Sequence, residues 1–75
     1  MTINEGDRVA YSREFCRSIG EYTGELPMMR GKVMRIEEYD YGLRIAVVNW
    51  ESDDGSSKIN CANLWPADKL YLEPN

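Results

Sequence analysis

Acid–base and nucleophilic chemistry near neutral pH usually starts from histidine, and this chain has none. Without an imidazole there is no ordinary base to activate a serine or a cysteine, and no mixed Cys/His zinc site. The two cysteines, Cys16 and Cys61, are far apart and form no Cys-x-x-Cys pair. The first residues, Met1-Thr2-Ile3-Asn4-Glu5-Gly6-Asp7, carry no basic and apolar leader. A reducing cytoplasm and two buried thiols are therefore expected, with a Cys16–Cys61 disulfide as the alternative. Carboxylates are plentiful but poorly spaced for chemistry. Glu51, Asp53 and Asp54 beside Gly55 suggest a cation loop, yet the calcium-loop spacing is missing. Paired carboxylates can hydrolyse a glycoside, but 75 residues leave little room for a sugar cleft. The expectation is a protein with no catalytic residue, no metal and no cofactor.

The charge balance weighs against a coat of phosphate contacts. Thirteen acids against nine bases give a net charge of −4, where a nucleic-acid binder usually carries a basic excess. The distribution is uneven. Residues 1–36 hold six bases and five acids, and residues 37–75 hold three bases and eight acids. Arg13, Arg17, Arg30, Lys32 and Arg35 are the cations from which a basic edge can be built.

These side chains need a scaffold, and 75 residues allow one domain, 1–75, with one small core. The apolar share of 43% and charged share of 29% are those of a globular domain. No stretch approaches the ~18 apolar residues of a membrane span. Short alternating runs separated by turn residues are the all-β pattern. Strands are expected at 8–11, 28–36, 43–51, 58–62 and 70–72. Val33 and Ile36 are three apart, which breaks alternation and predicts a bulge, with Gly31 allowing close backbone approach. Residues 12–27 form a long first loop in which Ser12 caps a short helix and Gly20 stops it. Residues 37–42 are a hairpin loop, 51–57 an acidic turn, and 63–68 a compact turn of 3₁₀ type. The inward phase collects Val9, Val33, Ile36, Ala46, Val48, Trp50, Ile59, Cys61, Leu64 and Leu70. Residues 43–50 carry apolar side chains on both faces, so this strand is expected to be covered on both, by its own fold or by a second copy.

Five short strands with a long first loop, tight hairpins and a turn before the last strand resemble the SH3-like small barrels, in their KOW-, Tudor- and chromo-like variety. The matching stretches are Gly6-Asp7-Arg8-Val9, Arg30-Gly31-Lys32-Val33-Met34-Arg35-Ile36 and Ala46-Val47-Val48-Asn49-Trp50-Glu51. Ile59-Asn60-Cys61-Ala62-Asn63-Leu64 and Leu70-Tyr71-Leu72 complete them. The likeness is greatest to small uncharacterised proteins of phages and mobile elements. It implies a five-stranded barrel that presents loops and one groove to a partner; it does not imply an activity.

On such a barrel the first loop and the 37–42 loop flank one end. The resemblance thus places Tyr22 near Tyr39 and Tyr41, with Trp65 closing the same rim and the acids Glu38 and Asp40 beside it. The Ala-Leu-Tyr-Asp-Tyr signature of peptide-binding SH3 domains is absent. The leading expectation is a non-enzymatic binding or adaptor module. It would hold a protein partner through the 12–27 and 37–42 loops, as a monomer or a homodimer. The alternative is a weak, KOW-like nucleic-acid binder using the five cations named above.

Overall fold

A computed structural model describes residues 2–21, 24–52 and 55–74. One antiparallel sheet of five strands organises the chain: β1 (Arg8–Tyr11), β2 (Gly31–Glu38), β3 (Arg44–Trp50), β4 (Ser56–Asn60) and β5 (Leu64–Pro66). Their order is β4-β3-β2-β1-β5, so the last strand returns to pair with the first. The edge strands β4 and β5 are not paired with each other, and the sheet is open. No described helix is long and apolar enough to cross a membrane.

Strand β2 belongs to both halves of the sheet. Gly31 pairs with Val9 on one side and with Trp50 on the other. A Cβ at Gly31 would sit 2.6 Å from Val48 Cγ1 and 2.8 Å from Trp50 Cε3, closer than carbon atoms pack. Glycine is therefore required here by crowding. The bulge predicted from Val33 and Ile36 is present, but between Val33 and Arg35. Met34 is the extra residue, and beyond it Ile36 returns to the inner face opposite Ala46.

Inside lie Ile3, Val9, Val33, Ala46, Val48, Trp50 and Leu64. Ile36, Ile59 and Cys61 pack against them half-buried, together with Tyr11 and Met29. Leu70 is not part of this core. The expected strand at 70–72 is a 3₁₀ segment, Ala67–Leu72, and the fifth strand lies earlier. Leu64 and Pro66 point inward, and β1 takes them as its edge partner. Proline is acceptable at the last position of an edge strand, where its missing N–H leaves no ladder bond unmade. The predicted compact turn likewise comes earlier, as a 3₁₀ turn over Cys61–Asn63 whose Ala62 N–H is taken by the Asn60 side chain. Further boundaries move, among them the start of β4, where Ser56 and Ser57 belong to the strand and not to the acidic turn. Pro27 makes Leu26–Met28 a 3₁₀ turn ahead of β2, and Glu37 and Glu38 belong to β2, not to the loop.

The first loop does hold a short helix, α1 (Arg13–Ser18), which packs against the 26–28 turn and stacks Phe15 on Tyr11 of β1. The Ser12 hydroxyl accepts from Phe15 N at 3.0 Å, the usual N-cap bond. Glu73 supplies a second cap from the far end of the chain: its carboxylate takes Arg13 N at 2.6 Å and Glu14 N at 3.4 Å. At the other end, Gly20 N and Glu21 N bond Arg17 O and Cys16 O, a closure that a positive φ of 76° at Gly20 permits.

Candidate functional site

The β2–β3 connection is short, and its strand ends are tied by Tyr39 N donating to Leu43 O at 2.8 Å. Reversing the chain in so few residues requires positive φ, and two successive residues adopt it: Tyr41 at 65° and Gly42 at 74°. Glycine does so freely, whereas in an L-residue the Cβ approaches the next carbonyl, at roughly 1–2 kcal/mol. Tyr41 is the one described non-glycine residue in that region. Its side chain is nevertheless fully exposed, with no ring or hydroxyl partner among the described residues. The fold thus holds an aromatic ring in water on a backbone that glycine or asparagine would adopt more easily.

Around Tyr41 the tip combines apolar surface with negative charge. Tyr39 is half exposed and Leu43 slightly less so. Glu38 reaches Arg44 only at 3.7 Å and remains 75% exposed, and Asp40 is exposed. A shallow groove runs from Tyr41, Gly42 and Leu43 past Arg44 to Asn60, Cys61 and Ala62. The Tyr39 side chain is held in place, because its hydroxyl donates to Glu37 Oε1 at 2.7 Å. Arg35 at 3.0 Å and Lys58 at 3.2 Å hold the same carboxylate. These three partners, the Tyr39 hydroxyl most of all, bring the Glu37 carboxyl down to about 2. Glu37 therefore anchors the base of the tip, while Glu38 and Asp40 supply its outward charge.

The remaining sequence-derived site residues divide among different surfaces. Trp65 lies on β5 in a separate groove with Ser12, Glu14 and Glu73, and its indole N–H donates to Lys69 O at 2.7 Å. Ala62 lines both this groove and the one at Tyr41, so the Cys61–Asn63 turn stands between Trp65 and the tip. Tyr22 lies outside the described residues. The five cations come from α1, from the residue ahead of β2 and from β2. Arg13 and Arg17 are on α1. The Arg30 guanidinium turns back onto the carbonyls of Pro27 and Met29, at 3.1 and 2.8 Å. Lys32 and Arg35 are on β2, with Arg35 bonded to Glu37. Arg8, which was not singled out from sequence, faces Lys32 in register but is held by Glu51 at 2.7 Å.

No group of three or more metal-ligand side chains occurs among the described residues. Both cysteines are free. Cys16 is buried, as expected, but Cys61 is only partly covered, because the chain turns away at the 3₁₀ segment instead of continuing β4. Burial pushes both thiols up, and at Cys16 the Glu73 and Glu21 carboxylates add to it. Such thiols stay protonated and are poor nucleophiles.

Comparison of the chain with protein families, with curated proteins and with solved structures gives no match.

Proposed function

We propose that the chain is a non-enzymatic, SH3-like binding module whose contact surface is the β2–β3 tip, and that the tip takes a basic segment of a protein partner. The observation that carries this reading is Tyr41, fully exposed on a left-handed backbone. Strained backbone under a side chain without a structural contact is a feature of contact sites. Tyrosine supplies large contact area with few rotatable bonds, and it is over-represented among the residues that dominate binding energy. Exposed Glu38 and Asp40 give the tip a charge complementary to lysine and arginine, and a tyrosine face attracts the same cations. The SH3-like part of the reading is supported by the return of β5 to β1 and by the 3₁₀ turn before it.

The test is an NMR titration of the labelled protein with a short Lys- and Arg-rich peptide and with its Glu-rich counterpart. The basic peptide should shift the amides of residues 38–44, an effect lost in Tyr41→Gly and in the pair Glu38→Lys, Asp40→Lys. Equal response to both peptides, or shifts confined to the far end of β3, would remove the tip as the contact surface.

A further inference from the structure

A second recessed surface, on the α1 side of the sheet, has the opposite character. Arg13, Cys16 and Arg17 from α1, Tyr11 from β1, Pro27 and Leu70 enclose a cleft of about 340 Å³. That is near the lower end of ligand-pocket volumes, enough for one branched or aromatic side chain and its polar end. The apolar wall is rigid. Tyr11 stacks on Phe15 at 5.1 Å and on Trp50 at 4.6 Å, so its ring is fixed from the core outward. The helix that forms the other wall is held at both ends, by Ser12 and Glu73 and by the Gly20 closure. The cleft is therefore formed before any ligand arrives.

The charged side chains among the described residues that line it are both cationic, Arg13 and Arg17. Arg17 is exposed and makes no ion pair among the described residues. The Arg13 guanidinium is engaged by the Glu73 carbonyl oxygen at 3.4 Å. No carboxylate is among the described residues that line the cleft. The two acids that act on the Cys16 thiol line neighbouring grooves: Glu21 beside Ile19 and Leu26, Glu73 beside Ser12 and Trp65. Met28 and Tyr71, chain neighbours of Pro27 and Leu70, are largely exposed.

We infer that this cleft binds the C-terminal residue of a partner chain, its apolar side chain between Tyr11, Pro27 and Leu70 and its carboxylate on Arg17. A chain end places a carboxylate two bonds from the base of an apolar side chain, which matches a guanidinium at the edge of an apolar recess. The planar guanidinium can meet both carboxylate oxygens, which makes a free carboxylate much preferred over an amide. This surface is separate from the tip, and the two have opposite charge preference.

The probe is a pentapeptide ending in leucine, in three arms: with a free C-terminus, with the same terminus amidated, and replaced by the small acid 4-methylpentanoate. Each is titrated into the labelled full chain and followed by amide shifts. The free-acid peptide should move Tyr11, Cys16, Arg17, Met28 and Leu70, and the amide should bind about tenfold more weakly. Arg17→Gln should lose the same factor and Arg17→Lys should recover part of it, both with an unchanged spectrum elsewhere because the side chain is exposed. Leu70→Ala should weaken acid and amide alike. The inference is overturned if acid and amide bind equally, if Arg17→Gln has no effect, or if the shifts fall elsewhere or are absent at millimolar peptide. Binding of 4-methylpentanoate as tight as that of the peptide would replace the chain end by a free small acid and would equally overturn it.

Discussion

The Tyr39 hydroxyl donates to Glu37 Oε1 at 2.7 Å, and Arg35 and Lys58 complete the same carboxylate from the neighbouring positions of the sheet. This joint fixes the root of the β2–β3 tip to β4. It also lies beside Val47, the outward-facing β3 residue that pairs with both Arg35 and Lys58 and is only 4% exposed. On the second face of β3, Val47 is thus buried between two charged positions, while Leu43 and Asn49 on the same face stay exposed.

The joint makes stability depend on acid. The Glu37 carboxyl is lowered from 4.5 to about 2, so the folded protein binds that proton less readily than the unfolded chain. Its contribution is complete above pH 4.5 and is lost as the pH falls from there through about 2. Denaturant midpoints measured across that window should fall with pH more steeply in the wild type than in Glu37→Gln. In Tyr39→Phe, which removes the largest cause, carbon-detected titration should find Glu37 protonating at higher pH.

Gly31→Ala should destabilise the protein by about 1–3 kcal/mol, the range for forcing a methyl group into a packed core. The new carbon has to displace Val48, Trp50 or the Asn49 carbonyl, at 2.6, 2.8 and 3.1 Å. Equilibrium unfolding checks this. Gly42→Ala tests a different mechanism, because nothing lies within 4 Å there and only the positive φ opposes the substitution.

Glu73→Ala should loosen α1, since two N-terminal amide groups of the helix lose their acceptor. Loss of a cap of this kind costs about 1–2 kcal/mol. Cys16 lies on the buried face of that helix, so its thiol should react faster with a disulfide reagent in the variant while Cys61 keeps its rate. Equal acceleration at both cysteines would point to global unfolding instead.

The parts of the fold that could be seen in the sequence are those where alternation runs long enough. β3 and β1 were legible from side-chain phase, and the bulge from the three-residue spacing of Val33 and Ile36. Its position was not, because Gly31 is the permissive residue there and Met34 carries no signal. β5 was hidden by its brevity and by Pro66, while Leu70-Tyr71-Leu72 imitates a strand by composition alone. At the tip, Tyr39 and Tyr41 stand out by type, but no sequence signal marks Tyr41 as a residue of positive φ, a conformation that glycine such as the adjacent Gly42 adopts more freely. The Glu73 clamp gave no local sign, since it joins α1 to the last turn of the chain.

Tyr41→Asn should leave the unfolding free energy unchanged or raise it by up to about 1 kcal/mol, because asparagine tolerates the left-handed region. The same substitution should abolish the response to a basic peptide. A loss of stability in this variant would show that the ring supports the fold.

The central claim is that the tip touches a protein partner, and site-specific photocrosslinking in cells that express the chain tests it most directly. A photoreactive phenylalanine is placed at Tyr41 and, separately, at Ser57, which is exposed on β4. We predict a protein adduct from position 41, mapped to a segment containing lysine or arginine, reduced by Asp40→Lys and absent from position 57. An adduct to nucleic acid, or a protein adduct from position 57 with none from 41, would contradict the account.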